Sequence, residues 1–447
     1  MDSMVVTGGR RLAGRVRASG AKNAALPIMA TALLADGPVR LRGVPDLADI
    51  RTMGRLLEEL GVRTTREPPV LRGSGAAATE GGPGGDLVLE AVDLDRVRAP
   101  YRIMKTMRAG VCVLGPLLAR RGRAEVSLPG GCAIGDRPVD LHLKGLRALG
   151  GDLRVEHGYI FGACRRLRGA EMYLGGPFGS TVTGTANILM AAVLAEGETV
   201  VECAACEPEV QDLAHVLVKM GARIEGIGSP RLTIEGVDRL TGCEHTVLPD
   251  RIEAGTLLVA GAATGGDVTV DGARWNDLFA LIHTLRVAGL EVEHSEDAVQ
   301  VRPGRARLRC VDVTTLPFPG FPTDLQAQAM ALFAKADGIS VIIEKVFPDR
   351  FMHVAELNRM GARIRKEGSV AVVHGTDRLS GAPVMASDLR ASAALIIAGL
   401  VAEGETVISR IYHLDRGYER IEDKLTRLGA EIRRVKESEL AETPAEG

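Results

Sequence analysis

Leu428-Gly429-Ala430-Glu431-Ile432-Arg433 decides the fold, because the chain repeats it in variant form. Counterparts are Leu60-Gly61-Val62-Arg63, Leu149-Gly150-Gly151-Asp152, Met220-Gly221-Ala222-Arg223, Ala288-Gly289-Leu290-Glu291 and Met360-Gly361-Ala362-Arg363. In each, the glycine closes an apolar-periodic helix, as a left-handed residue just past the last turn would. The alternation of apolar and charged residues after it reads as a strand.

A second signature precedes the first: a helix that ends near Ala-Glu-Gly and leads into a strand. It is clearest at Leu34-Ala35-Asp36-Gly37, Leu194-Ala195-Glu196-Gly197 and Val401-Ala402-Glu403-Gly404, with weaker copies around Gly122, Gly266 and Gly338. Beyond the first interval, the helix-end glycines are 68 to 72 residues apart. A period of roughly 70 residues is longer than an ordinary solenoid repeat, so each unit can help to build a domain. The expected fold class is α/β: two similar domains, each of three β-α-β-α-β-β repeats, with a cleft between them. The first interval is stretched by a Gly-rich insertion, Arg72-Gly73-Ser74-Gly75-Ala76 through Gly81-Gly82-Pro83-Gly84-Gly85, expected to be a mobile surface segment. The acidic tail after Val435 is expected to fray.

Composition sets the outer bounds. A chain of 447 residues is too long for one ordinary core. Aromatics make up only 3% of it, so the core must be built from Ala, Val, Leu, Ile and Met. A net charge of −2 argues against nucleic acid or an anionic membrane as a partner, and any anion must be held by a local basic cluster. The start of the chain has no apolar signal region, and the longest apolar run, residues 393–402, is far below the ~20 residues that span a bilayer. Seven irregularly spaced cysteines (112, 132, 164, 203, 206, 243 and 310) suit reduced thiols in the cytoplasm. Cys203-Ala204-Ala205-Cys206 lacks a second pair and reads as two ordinary thiols. No metal or cofactor is expected.

Polar and charged groups interrupt the repeat where helices begin. Ser19-Gly20-Ala21-Lys22-Asn23-Ala24-Ala25-Leu26-Pro27 opens one helix, with Pro27 near its start. Phe321-Pro322-Thr323-Asp324-Leu325-Gln326 opens another, with Thr323 and Gln326 spaced as a capping box. Asp388-Leu389-Arg390, Leu248-Pro249-Asp250-Arg251 and Gly184-Thr185-Ala186-Asn187 lead three more. Helix N-termini attract anions, and one basic residue there is usually just solvated surface. Several together, each opposing the helix dipole by ~0.3–1 kcal/mol, point to a bound anion.

Cys132 follows Leu128-Pro129-Gly130-Gly131 and precedes Arg137 by five residues. A lone cysteine is more often a small buried residue, as Cys112 in its apolar run suggests. Cys132, in a permissive loop near a cation, has the setting of a reactive thiol.

At these residues the sequence resembles the enolpyruvyl transferase family, within it the branch that takes UDP-N-acetylglucosamine as acceptor. The resemblance runs from about Val5 to Val435 and rests on Ser19–Pro27, Leu128–Cys132, Arg137-Pro138-Val139-Asp140-Leu141-His142, Phe321–Gln328, Arg350-Phe351-Met352-His353, Asp388–Ser392 and Asp415-Arg416-Gly417-Tyr418-Glu419. It implies two inside-out domains, residues 22–248 and a discontinuous pair of segments, 1–21 with 249–447, with the active site in the interdomain cleft. The implied reaction moves the enolpyruvyl group of phosphoenolpyruvate to the 3′-hydroxyl of UDP-N-acetylglucosamine by addition and elimination, releasing phosphate. That is the first committed step of peptidoglycan synthesis and the step that fosfomycin blocks.

By position-matching, the resemblance makes Cys132 the acid that protonates C3 of phosphoenolpyruvate and Asp324 the base beside the attacking hydroxyl. Lys22, Arg137 and Arg416 match groups around the phosphate, and Arg350 and Arg390 groups around the carboxylate. Asp388 matches a carboxylate near the reacting carbon, and Arg108 a further basic residue. Asn23, Pro138, Val139, Asp140, Leu141, Thr181, Val182, Thr183 and Val346 match the nucleotide-sugar site. Gly179 stands where relatives carry Lys, and Cys206 where many carry Arg. The rival readings are transfer to another acceptor, a nucleoside or shikimate 3-phosphate, and a non-catalytic UDP-sugar sensor.

Overall fold

A computed structural model describes residues 2–67, 85–130 and 139–440. Most of the Gly-rich insertion and the Cys132 loop from Gly131 to Pro138 therefore lie outside the described residues. The repeat is plain in one copy: strand Glu171–Tyr173, helix Val182–Ala192, strand Glu198–Glu202, helix Pro208–Lys219, then strands Arg223–Glu225 and Arg231–Glu235. Its first two strands pair in parallel and its last two close an antiparallel hairpin, which makes a four-stranded sheet. Among the described residues six sheets have this pattern, one parallel pair followed by antiparallel neighbours.

The glycines that end the helices are the mechanical reason for the repeat. Gly61, Gly150, Gly221, Gly289, Gly361 and Gly429 all have φ between 78° and 109°. That is where a residue without Cβ reverses a helix end into the next strand at least cost. In the second signature, Gly37, Gly122, Gly197, Gly338 and Gly404 also have positive φ, but at the remaining site Gly265 takes this role instead of Gly266.

Each repeat contributes one inner and one outer helix. Inner helices are mostly apolar and bury most of their length. Leu389–Val401 buries Arg390 through Leu400 without a break, and Arg251–Ala263 buries twelve of its thirteen residues. Outer helices are amphipathic: Pro208–Lys219 starts with Pro at its first position and buries Val210, Leu213, Val216 and Leu217. The sheets cover the helices and expose alternate residues, as in Glu198–Glu202 and Ile339–Ile343.

The chain divides into two compact units, one made of residues 2–18 with 249–440 and one of the described residues between 19 and 248. Each has its own apolar core. Strand Asp2–Thr7 pairs with Glu405–Ser409 on one side and Glu431–Lys436 on the other, so the start of the chain completes the last sheet. Strand Glu244–Thr246 likewise completes the first sheet, beside Val39–Arg42. No described helix is long and apolar enough to cross a membrane.

Three local expectations are corrected. Pro27 lies inside helix Lys22–Ala30, at its sixth residue, and burial of every residue but Asn23 holds the helix although one ladder hydrogen bond is lost. The helix expected to start at Gly184 starts at Val182, with the Thr181 hydroxyl accepting from the Gly184 N–H at 3.2 Å. Of the acidic tail, Glu437–Leu440 form a helical turn where the sequence predicts fraying, with the Glu439 carboxylate accepting from the Lys436 N–H at 3.4 Å, and residues 441–447 lie outside the described residues.

Candidate active site

In the unit that holds residues 249–440, the inner helices begin on acidic groups. Asp250 accepts from the N–H groups of Ile252 and Glu253, and Asp388 from those of Arg390 and Ala391 at 2.8 and 3.1 Å. Each carboxylate satisfies two otherwise orphaned donors and suits the positive end of its helix. Asp324 lies in the 3-10 turn Thr323–Leu325 before the inner helix Gln326–Phe333, and its carboxylate is used differently. Arg350 Nη1 donates to Oδ1 at 2.6 Å, and Arg390 Nη2 to Oδ2 at 2.9 Å.

Both arginines are deeply buried, with side chains 6% and 2% exposed, whereas Asp324 keeps 24%. Burial would raise the Asp324 pKa, but the charges and hydrogen bonds of Arg390 and Arg350 overcome it and hold the carboxyl well below the ordinary range. Burial would lower the Arg390 pKa, and Asp324 reverses that in turn. The Arg390 guanidinium also lies over the ring of Tyr418, 5.2 Å from its centroid. Tyr418 is fixed by a hydrogen bond between its hydroxyl and that of Thr256 at 3.0 Å, and its oxygen accepts from Gln328 Nε2 at 3.1 Å.

The capping box expected at Thr323 and Gln326 is absent. The Thr323 hydroxyl donates to Glu344 at 2.9 Å and accepts from Arg350 at 3.2 Å, while the buried Gln326 amide has no partner. A tertiary carboxylate has outcompeted the local one. Glu344, fully buried, also accepts from the Thr315 hydroxyl and from the N–H groups of Val346 and Phe347. It thereby fixes the turn that carries Val346 and leads to Arg350. Its only trace in the sequence is a charged residue closing the apolar strand Ile339–Ile343.

His353 joins this group. It is 1% exposed, and its Nε2 has no partner. Burial pushes its pKa down to about 4, with Asp388 opposing and Arg350 reinforcing the shift. Arg416 ends the turn Ile411–Arg416, where His413 feels both Arg416 and Asp388. The structure thus brings together Asp324, Arg350, Arg390, Asp388 and Arg416, with Val346 tied in through Glu344.

The remaining described candidates belong to the other unit. Lys22, at the start of its helix, donates to Asp49 at 3.1 Å, with both side chains largely buried. Asn23 beside it is exposed. That helix packs on the turn Arg108–Val113. Val139, Asp140 and Leu141 open the next outer helix and His142 turns inward, 2% exposed.

His142 Nδ1 lies 3.0 Å from Asn187 Nδ2, which also donates to the Val111 carbonyl, while Asn187 Oδ1 accepts from the Gly115 N–H. The amide can only donate to the ring. His142 therefore carries its proton on Nε2 and gives it to the Thr183 hydroxyl at 3.2 Å. This bond joins residues 139–142 to Thr181, Val182 and Thr183. Cys132, Arg137 and Pro138 lie outside the described residues.

Burial, reinforced by the charge of Arg108, pushes the His142 pKa down to about 4. The ordinary histidine value is about 6.5, so the unfolded chain takes up a proton that the folded one refuses. The stability this group contributes is whole above pH ~6.5 and is lost as pH falls toward 4, about 3 kcal/mol in all. His353 acts with the same sign. Urea midpoints should therefore fall between pH 7 and pH 4.5, and less steeply in His142→Asn. Equal slopes in both proteins would contradict the neutral, buried imidazole.

Gly179 sits in a tight turn, where it exchanges backbone hydrogen bonds with Gly176 at 2.8 and 3.1 Å. Its φ is 96°, which would strain a lysine, so backbone shape accounts for the glycine at this place. Cys206 is half-buried against the Ala204 carbonyl, and burial raises its pKa.

Comparisons with known proteins agree with this architecture. The enolpyruvyl transferase NikO from Streptomyces tendae superimposes with a TM-score of 0.84 at 25% identity, over 97% of this chain and 99% of that one. Two structures of EPSP synthase from Acinetobacter baumannii give TM-scores of 0.71 and 0.70 at 17% and 18% identity. They cover 97% and 98% of this chain and all of theirs, and at that identity they speak for the fold alone. Residues 6–425 match the family described as EPSP synthase (3-phosphoshikimate 1-carboxyvinyltransferase). With two α/β units of repeated four-stranded sheets and nearly the whole length matched, the chain belongs to the EPSP synthase family of enolpyruvyl transferases.

Proposed function

We propose that the protein transfers the enolpyruvyl group of phosphoenolpyruvate to the 3′-hydroxyl of UDP-N-acetylglucosamine, and that both sets of residues serve this one reaction. The observation that carries the donor half is the pair of buried guanidiniums, Arg350 and Arg390, already arranged around a carboxylate. Planar forks of this kind match the carboxylate of phosphoenolpyruvate. The acceptor half is supported by the bond from His142 to Thr183, which ties together two runs matched to the nucleotide-sugar site.

In this reading the acceptor hydroxyl gives its proton to Asp324 as its oxygen bonds to C2 of phosphoenolpyruvate. Cys132 gives a proton to C3. In the second half C3 returns that proton to Cys132, the C2–O bond to phosphate breaks, and phosphate leaves with the bonding pair and the proton held by Asp324. Lys22, Arg137 and Arg416 hold the phosphate. Asp388 stands beside the reacting carbon, and Arg108 adds positive charge. Asn23, Pro138, Val139, Asp140, Leu141, Thr181, Val182, Thr183 and Val346 contact the nucleotide sugar.

A second reading, transfer to another nucleoside, is favoured by Gly179, because its φ of 96° would strain the lysine that relatives use beside the uridine. Phosphate release from phosphoenolpyruvate, measured with each acceptor in turn, decides between the two. UDP-N-acetylglucosamine alone should support release. Release with a different nucleoside or with shikimate 3-phosphate would transfer the assignment.

A further inference from the structure

We propose that Asp324 is an internal occupant of the donor's carboxylate site, and that the donor itself switches it into a base by displacing it. The inference rests on the proposed reading, in which Arg350 and Arg390 bind the donor carboxylate. The two oxygens of Asp324 are bound one to each arginine, at 2.6 and 2.9 Å. An aspartate carboxylate and the carboxylate of an enolpyruvyl donor have the same planar shape and charge, so they compete for the same two forks.

The arrangement has two consequences. With both oxygens engaged by cations, Asp324 has a proton affinity far too low to accept a hydroxyl proton, since an effective base is matched to the operating pH. Arg390, meanwhile, has donors to spare: its Nε and Nη1 are buried and without a partner, while its face is fixed over Tyr418. An incoming carboxylate can take these donors and then the ones that Asp324 holds. Once released, Asp324 loses two charge-assisted hydrogen bonds and faces a new anion, and both changes raise its pKa. Thr323 and Glu344 keep Arg350 in place during the exchange, because the Thr323 hydroxyl bridges the two. The base is thus available only when a carboxylate-bearing donor is bound, which disfavours proton abstraction from the acceptor alone.

The test uses the full chain and Asp324→Asn, with binding of phospholactate, the saturated and unreactive analogue of phosphoenolpyruvate, measured by calorimetry. Removing the competing charge should tighten phospholactate at least about tenfold, while turnover falls by about 10³-fold or more. Inorganic phosphate, which does not need the arginine pair, should bind both proteins within about twofold. Unchanged or weaker phospholactate binding by a folded Asp324→Asn would overturn the switch. Asp324→Ser provides the same readout if the asparagine variant does not fold. Wild-type protein that binds phospholactate but is not improved by either variant refutes this inference alone. Wild-type protein that binds neither phospholactate nor phosphoenolpyruvate refutes the donor reading beneath it.

Discussion

Arg390→Met should lower kcat/KM for enolpyruvyl transfer by about 10²–10³-fold and reduce stability by about 3–5 kcal/mol. The two effects share one cause. Arg390 is 2% exposed, and its Nη2 is bound to Asp324 at 2.9 Å. Methionine fills much of the volume but leaves Asp324 partly buried with Arg350 as its one remaining arginine partner. Breaking a buried pair by removing one member leaves the other charge uncompensated, which costs more than the pair itself contributes. On the proposed function, the loss also removes one of the two forks for the donor carboxylate. Arg390→Lys should recover stability better than activity, because an ammonium cannot reproduce the planar contact over Tyr418 together with the bond to Asp324. Steady-state kinetics with urea unfolding checks both. A kcat/KM within tenfold of wild type for Arg390→Met would remove Arg390 from the donor site.

Cys132→Ser should abolish measurable turnover, a loss of about 10²–10⁴-fold, while nucleotide-sugar binding survives. A serine hydroxyl is a far weaker acid than a thiol and cannot supply the C3 proton. Cys132→Asp should retain part of the activity, because a carboxyl group can protonate carbon without forming a thioether. The same substitution should abolish inhibition by fosfomycin. Where the loop leaves the described residues, Gly130 is packed tightly: a Cβ there would stand 2.3 Å from the Lys105 carbonyl oxygen. The loop thus departs from a fixed point. Full activity in Cys132→Ser would remove the thiol from the proton path, and wild-type activity untouched by fosfomycin would place Cys132 in a different environment.

The repeat was legible in the sequence because it depends on one local requirement, a residue without Cβ at the end of a helix, met at Gly61, Gly150, Gly221, Gly289, Gly361 and Gly429. Helix starts were legible where the cap was local, as at Asp250 and Asp388. They were misread where a distant group won: Thr323 bonds to Glu344, 21 residues away, and no local pattern encodes that. The site divides along the same line. Arg350, Arg390 and Asp324 stood inside recognisable runs, whereas Glu344 and Asp49 did not, and Tyr418 and His353 gave no sign of their burial. Their roles come from tertiary packing, which places a carboxylate behind Thr323, an acidic partner at Lys22 and a ring beneath Arg390.

The most direct test of the account measures phosphate release by the purified full-length protein given phosphoenolpyruvate with UDP-N-acetylglucosamine, and each substrate alone. Phosphate should be released with the pair and not with either substrate singly. No release with the pair, when both substrates are shown to bind, would contradict it.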